Sequence, residues 1–144
     1  MSDPGENHLN LLLFTVGGVR FGCDSGQVAG IADFTGAAAE DLFWLHEELG
    51  FQAPVVAYRS PTIVSIRTEG ERPYRVIIDT MEEIGAFSLR DIRLFPALLE
   101  PLALQKGLWG ILPRGEKMVF LVDFQLLLKM RAKQIDDKWR KEIS

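Results

Sequence analysis

The sequence is poor in the residues that metal binding and covalent catalysis use most. Its 144 residues include one cysteine and two histidines, so no disulfide can form within the chain. Cys23, His8 and His46 are widely separated and do not follow the ligand spacing of a zinc site. No G-x-G-x-x-G, phosphate-loop or G-x-S-x-G motif occurs. We therefore predict no metal, no cofactor and no catalytic residue, with Cys23 as a small core residue rather than a nucleophile.

Long apolar runs are also absent. The run "LLLFTV" is too short to span a bilayer, which needs about 20 apolar residues. The opening "MSDPGENHLN" is polar and acidic, without the basic and then apolar order of a secretory signal. Together with the single cysteine, these features predict a cytoplasmic protein.

Positive charge is scarce outside the C-terminal end. Residues 125–144 contain six Lys or Arg and three Asp or Glu, a net charge of +3, whereas the first 124 residues contain ten and seventeen, a net charge of −7. An acidic body argues against nucleic-acid binding, which needs a basic surface to displace counterions. We interpret the basic end as the solvated face of a helix.

The stretch "LLLFTVGGVRFGCD" predicts a β-hairpin. Two β-rich runs flank Gly17 and Gly18, and glycine tolerates the positive φ angles of a tight two-residue turn. Side chains alternate along a strand, so one face of each strand is expected to be buried. The expected buried face comprises Leu12, Phe14, Val16, Val19, Phe21 and Cys23.

Three β-like runs end in an aspartate: "FGCD" at Asp24, "VIID" at Asp79 and "FLVD" at Asp123. The three carboxylates either converge as an acid/base or metal-binding site, or each caps a helix or turn. Asp24 with Gln27 and Asp79 with Glu82 have the spacing of a capping box, and Asp123 directly precedes the longest helical pattern. We favour capping, because it requires no convergence in space.

Further segments have recognisable periodicity. "TGAAAEDLFWLHEELG" predicts a helix over residues 35–50, and Thr62–Arg67 with Tyr74–Ile78 predicts a second hairpin. "GLWGIL" and "KMVFLVD" predict a third. From Phe124 onward the pattern is helical. Its apolar stripe comprises Leu128, Ala132, Ile135, Trp139 and Ile143.

Three residues are candidates for contact with a protein partner. Trp44 and Trp139 are of the type enriched at interaction hot spots, although tryptophan at helical spacing is more often a core residue. Arg59 flanks a β run, where a solvated surface arginine is the alternative.

The order of these elements resembles the CheW-like family, the coupling proteins of bacterial chemotaxis. "LLLFTVGGVRFGCDSGQVAGI" is similar to the family's opening hairpin and its Val-x-x-Ile segment, here Val28–Ile31. "YRVIIDTMEEI" is similar to its "glvVDrVeev" strand and turn, and "GLWGILPRGEKMVFLVDFQLLL" to its closing hairpin. The resemblance covers about residues 9–34 and 74–128.

The resemblance implies a mainly β fold with added helices, in which two SH3-like β-barrels pack around a shared core. The implied single domain has a flexible N-terminus over 1–8, subdomains over 9–73 and 74–124, and a C-terminal helix over 125–144. The family's Asn-Leu-Arg-Gly motif is missing, and the segment 35–50 stands in its place. The first barrel is therefore expected to be incomplete or rebuilt, and no receptor-contact residue carries over.

The function implied by the resemblance is that of a non-catalytic adaptor. Such a module links a chemoreceptor and a histidine kinase, or binds another CheW-like domain. Two alternatives remain open at this stage. One is a small-molecule-binding β-barrel or an enzyme that uses the three aspartates. The other is a self-associating protein of the same fold, in which the stripe from Leu128 to Ile143 is the dimer seam.

Overall fold

The computed structural model describes residues 7–37, 39–50, 57–70 and 73–131. Strands dominate, as expected from the sequence. The strands are β1 (His8–Val16), β2 (Val19–Asp24), β3 (Val28–Asp33), β4 (Leu42–Trp44), β5 (Thr62–Ile66), β6 (Tyr74–Ile78), β7 (Met81–Ser88), β8 (Leu108–Arg114) and β9 (Lys117–Val122). The helices are α1 (Leu45–Glu48), α2 (Glu100–Gln105) and α3 (residues 124–131), with 3-10 turns at Ser25–Gln27 and Leu89–Asp91.

The strands form two mixed sheets. The first has the order β7-β1-β2-β9-β8 and the second the order β3-β5-β6-β4. In each sheet one pair is parallel, β2 with β9 and β4 with β6. Among the described residues neither ladder closes into a complete barrel, although an isolated bridge between Arg93 and Ile111 joins the segment after β7 to β8. The expected mainly β class with a C-terminal helix is confirmed.

Each sheet takes strands from both sides of residue 73. Strand β1 pairs with β7 in the first sheet, and β5 pairs with β6 in the second. The division into subdomains over 9–73 and 74–124 stays a prediction. At the N-terminus, His8 already belongs to β1, and the carbonyl of Asn7 accepts from the N–H of Leu89 at 3.1 Å. Residues 7 and 8 are therefore part of the fold. Residues 1–6 lie outside the described chain.

The predicted hairpins are present. Strands β1 and β2 are antiparallel, with Val16 opposite Val19, and Gly17 and Gly18 have φ angles of 60° and 80°. Because both turn residues have positive φ, the turn depends on glycine. Strand β5 pairs antiparallel with β6, and β8 with β9. Within the described part of the chain no helix is long and apolar enough to cross a membrane.

Strand β1 is buried on both faces, which the alternation argument did not anticipate. Leu12 and Phe14 belong to a large core cluster, whereas Leu11 and Leu13 belong to a second cluster with Leu121. All four side chains of the "LLLF" run are at most 2% exposed. The alternation is real, but each face packs against a different part of the molecule. Val19, expected in the core, is 39% exposed.

The large cluster fills the space between the two sheets. It joins one face of β1 and β2 to side chains of the second sheet, such as Val64 and Val76. Helix α1 contributes Leu45, α2 contributes Ala103, and α3 contributes Leu127. The smaller cluster lies on the other face of the first sheet. The short helices therefore complete the core between the sheets.

The predicted helix over residues 35–50 is wrong. Gly36 has a φ angle of 96°, β4 occupies Leu42–Trp44, and only Leu45–Glu48 is helical before Gly50 at a φ of 77°. The apolar triplet of β4 pairs in parallel with β6. Sheet pairing and burial outweigh the helix propensity of the alanines and glutamates, which is a weak preference.

Gly22 provides a test of the smaller cluster. A Cβ atom at this position would lie 2.8 Å from Cδ2 of Leu13 and 3.3 Å from side-chain atoms of Leu121 and Val119. We expect Gly22→Val to lower the free energy of unfolding by about 1–3 kcal/mol, because the added methyl groups overpack this space. Gly30→Val is the control, since a Cβ there meets no atom within 4 Å. Equal urea-unfolding midpoints for both variants would contradict this packing.

Cys23 is a core residue, with 1% of its surface exposed. Burial, with a smaller contribution from the charge of Asp24, raises the pKa of its thiol to about 12. At pH 8 the thiol is therefore protonated as well as inaccessible, and we expect it to react with Ellman's reagent only when the protein unfolds. Stoichiometric reaction of the native protein within seconds would show a reactive thiolate instead.

Candidate functional site

Two of the three aspartates lie at neighbouring strand ends and cap the elements that follow. Asp24 ends β2, and its Oδ1 accepts from the N–H of Gly26 at 2.8 Å, at the start of the 3-10 turn. Asp123 follows β9, and its Oδ1 accepts from the N–H groups of Gln125 at 2.9 Å and Leu126 at 3.3 Å, at the start of α3. Because β2 and β9 are parallel neighbours, both aspartates lie at the C-terminal ends of adjacent strands in the first sheet.

Gln27 does not close the predicted capping box with Asp24. Its Nε2 donates to Oδ1 of Asp123 at 2.9 Å, and its Oε1 accepts from the N–H of Phe124 at 3.0 Å. Gln27 therefore adds a second cap to α3 and ties this helix to the 3-10 turn. The partners are 96 and 97 residues apart in the sequence, so no local spacing rule indicates this contact.

The prediction that Asp79 caps a helix is wrong, because strand β7 begins two residues later at Met81. Asp79 is buried, and its Oδ1 accepts from the backbone N–H groups of Arg59 at 2.9 Å and Ser60 at 2.7 Å. Its own N–H donates to the carbonyl of Thr15 at 3.0 Å. The carboxylate satisfies backbone donors as a cap does, but the donors belong to the loop before β5.

The three carboxylates do not converge. The backbone of Asp79 bonds to Thr15, whereas Asp24 pairs with Leu11 on the same strand. The four-residue separation along β1 corresponds to about 13 Å, and each carboxylate is engaged with its own backbone N–H groups. Among the described residues, no group of three or more His, Cys, Asp or Glu side chains could hold a metal ion.

Four aromatic rings meet at the ends of the two edge strands of the second sheet, where Phe34 follows β3 and Trp44 ends β4. Tyr58 lies edge-on to Trp44 at 4.7 Å between ring centroids, Phe34 lies edge-on to Trp44 at 5.3 Å, and His46 lies 5.6 Å from Tyr58. We call Phe34, Trp44, His46 and Tyr58 the aromatic cluster. All four side chains are half-buried, and they come from segments on three different parts of the chain.

The aromatic cluster contains one of the three candidate partner-binding residues, and a second is its neighbour in the sequence. Trp44 is at its centre, and Arg59 directly follows Tyr58 and is exposed. Trp139 lies outside the described residues. Asp79 holds this surface in place, since its two hydrogen bonds fix the backbone directly after Tyr58. No motif or spacing in the sequence indicates that Phe34, His46 and Tyr58 meet.

A hydrogen bond fixes the orientation of Tyr58 within the cluster. Its hydroxyl oxygen lies 2.9 Å from Nδ1 of His46 and accepts from the backbone N–H of His46 at 3.4 Å. Burial is the main cause that raises the pKa of Tyr58 to about 12. The hydroxyl therefore stays protonated at neutral pH and can donate to Nδ1 of a neutral imidazole.

Charged pairs hold β4 and α1 against the body. Arg75 donates to both oxygens of Asp41, at 2.7 and 2.9 Å, directly before β4, and this pair lowers the pKa of the Asp41 carboxyl. Arg131 of α3 donates to Glu48 at 2.8 Å, and its guanidinium carbon lies 3.7 Å from the ring centroid of Phe43. The bidentate geometry of the first pair gives it directional specificity.

A second candidate is an open cleft of about 530 Å³ lined by Arg20, Glu82, Glu83, Arg114 and Gly115. Its charges are paired: Arg20 lies 3.4 Å from Glu82, and Arg114 donates to Glu83. The lining side chains are partly exposed and neutralise one another. This arrangement is typical of surface ion pairs rather than of a ligand site.

Comparison with known proteins identifies solved structures of similar fold. No protein-family model matches the chain, and no curated protein matches its sequence. The crystal structure of the scaffolding protein TtCheW from Thermoanaerobacter tengcongensis matches with a TM-score of 0.64. The match covers 88% of this chain and 92% of that chain at 13% sequence identity. The chain has a CheW-like fold.

At this low identity the similarity concerns the fold alone. The CheW-like arrangement accounts for the two mixed sheets and for the helix that follows β9. It does not assign a function to the aromatic cluster, because similarity of fold at this identity says nothing about individual side chains.

Asp79 provides a test of how the candidate site is held. We expect Asp79→Ala to lower the free energy of unfolding by about 1–3 kcal/mol, because two N–H groups lose their acceptor in a largely buried place. Asp24→Ala is the matched control, since its hydrogen bond is exposed and a cap of this kind contributes about 0.5–2 kcal/mol. Urea unfolding followed by tryptophan fluorescence measures both. A smaller loss for Asp79→Ala than for Asp24→Ala would contradict this role.

Proposed function

We propose that this protein is a non-catalytic signalling adaptor. In this proposal it links a chemoreceptor and a histidine kinase, or binds a related CheW-like domain, as the sequence resemblance implies. The observation that carries the proposal is the match to a scaffolding protein over nearly the full length of both chains. The motifs in 9–34 and 74–128 also support it, because they are features of the sequence and not of the fold.

The positions of the aspartates favour an adaptor over the alternative of an enzyme. Paired catalytic carboxylates usually lie about 5–10 Å apart in a shared cleft. Asp24 instead lies opposite Leu11 of β1, whereas the N–H of Asp79 bonds to Thr15, and each carboxylate accepts from backbone donors. All three aspartates therefore accept hydrogen bonds from backbone N–H groups, which accounts for their positions without a catalytic role.

We infer that the partner contacts the second sheet at β4 and the aromatic cluster. Strand β4 is the last strand of this sheet within the described residues, and edge strands are common sites at which a partner strand pairs. Trp44 provides half-buried aromatic surface and Arg59 an exposed cation. Tryptophan and arginine are the residue types that contribute most at hot spots, and here the ring of Trp44 packs against Tyr58, the residue that precedes Arg59.

The proposal places the protein in the cytoplasm and gives it protein partners rather than nucleic acid. A reduced, buried Cys23 suits a reducing compartment. The excess of acidic residues over the first 124 positions disfavours a polyanionic partner.

The direct experiment is a pull-down from a lysate of the organism that encodes the protein, with the purified chain as bait. Mass spectrometry identifies the captured proteins. We expect a chemotaxis-type histidine kinase or a chemoreceptor to be enriched over a bait-free control. A folded bait that captures neither would contradict the coupling function while leaving the fold unaffected.

The same assay tests the proposed contact surface. We expect Arg59→Glu to weaken capture by about five- to thirtyfold, the effect of losing about 1–2 kcal/mol at an interface. The fold should be unaffected, because it uses only the backbone N–H of Arg59. Arg90→Glu is the matched control, an exposed arginine on the 3-10 turn after β7. Equal losses for both variants would indicate a general charge effect instead of a specific surface.

A further inference from the structure

One side chain of α3 contacts both ends of the segment that carries Trp44. The guanidinium carbon of Arg131 lies 3.7 Å from the ring centroid of Phe43, the residue before Trp44 on β4. Its Nη1 donates to both carboxylate oxygens of Glu48 at 2.8 Å, at the C-terminal end of α1. Arg131 therefore connects α3 to residues on either side of Trp44 in the sequence.

Arg131 and the aromatic cluster contact opposite faces of β4. Side chains alternate between the two faces of a strand, so Phe43 and Trp44 point in opposite directions. The ring of Phe43 packs against Tyr74 and Arg131, whereas the ring of Trp44 packs against Tyr58. An effect of Arg131 on Trp44 must pass through the backbone of β4, which makes Arg131 a positioning residue and not a contact residue.

The segment that carries Trp44 is too short to fix its own position. Strand β4 has three residues and, within the described part of the chain, pairs with β6 alone. Helix α1 has four residues, whereas an isolated helix is marginal in water below roughly 12 residues. Trp44 is the N-cap of α1 and makes no side-chain capping hydrogen bond. The position of its backbone therefore depends on tertiary contacts such as those of Arg131.

The two partners of the Arg131–Glu48 ion pair differ in how well they tolerate its loss. The side chain of Glu48 is 14% exposed and that of Arg131 is 37% exposed. The hydroxyl of Tyr74 also donates to Glu48, at 3.0 Å. Removal of Arg131 would take the charged partner from a largely buried carboxylate, which is strongly unfavourable. Leu45 and Leu49 anchor α1 in the core, so the expected response is a shift of α1 and β4 and not their unfolding.

We propose that Arg131 positions Trp44 for partner binding, so that the docking of α3 regulates the partner surface on β4. The inference rests on the proposed adaptor function, because it concerns the same surface. A coupling of this kind is reciprocal, so a partner that binds Trp44 in its present position also stabilises the contact between α3 and α1. Any event that releases α3 from Glu48 weakens partner binding without a direct change to the surface.

Arg131→Met tests the positioning role, since it removes the guanidinium and keeps most of the apolar stem. We expect it to weaken capture in the pull-down about two- to thirtyfold, the range for coupling through a packed network. Arg114→Met is the matched control. Arg114 also lies over a ring, that of Phe87 at 5.3 Å, and donates to a carboxylate, that of Glu83, but it does so in the first sheet. We expect this control to capture the partner as the wild-type chain does.

A second substitution separates the effect of the buried charge from a simple loss of packing. Glu48→Gln removes the negative charge and keeps an oxygen that can accept from Tyr74. Added to Arg131→Met, it should restore most of the capture that Arg131→Met loses. Glu48→Gln alone should have little effect, because Arg131 is partly exposed and can still donate to the amide oxygen. A double variant that captures as poorly as Arg131→Met would overturn the proposal.

The NMR signals of the indole N–H groups report on the position of Trp44 without any partner. The chain has three tryptophans, and Trp44→Phe identifies which signal belongs to Trp44. We expect Arg131→Met to shift this signal, Arg114→Met to leave it in place, and the double variant with Glu48→Gln to return it toward its original position. Circular dichroism checks that each variant is folded, and Arg131→Gln replaces Arg131→Met if that variant does not fold.

The two readouts distinguish failure of this inference from failure of the adaptor function. A wild-type chain that captures neither a kinase nor a chemoreceptor, with a Trp44 signal that responds as expected, would contradict the adaptor function and support the coupling of α3 to β4. An unmoved Trp44 signal in folded Arg131→Met would overturn the inference. Undiminished capture by that variant would do the same.

Discussion

The burial of strand β1 on both faces is the constraint on which the rest of the structure depends. Leu11 and Leu13 pack into one cluster, and Leu12 and Phe14 into the other. A strand buried on both sides needs cover on both sides, so the molecule has two cores and not one. Strands β2 and β7 pair along its two edges. A polar substitution anywhere in this run would leave an unpaired polar group in one core or the other.

Each of the two sheets on either side of the large core combines strands from distant parts of the sequence. The first sheet combines β1 and β2 with β7, β8 and β9, and the second combines β3, β4 and β5 with β6. Helix α3 then closes the space between the sheets and is held by Asp123 and by Gln27. The two hydrogen bonds of Gln27 join residues nearly 100 positions apart, so this part of the fold needs both halves of the chain.

The candidate interface is also held in place by contacts between distant segments of the chain. The rings of the aromatic cluster pack against one another. Asp79 and the Arg75–Asp41 pair fix the backbone around it, so Trp44 and Arg59 are presented on a rigid support. Preorganisation of this kind lowers the entropy lost when a partner binds. Such a surface suits an adaptor, whose function is to bind rather than to transform.

The sequence by itself determined the local elements: the turn at Gly17 and Gly18, the three hairpins, and the helix after Asp123. These depend on neighbouring residues, through positive φ angles, strand alternation and capping. It also carried enough ordered motifs for the CheW-like resemblance. Only the tertiary structure decided that Leu42–Trp44 is a strand, that Gln27 caps α3, that Asp79 binds a loop, and that Trp44 packs against Tyr58. Each of those outcomes depends on pairing between segments far apart in the chain, where burial and backbone hydrogen bonds outweigh local propensity.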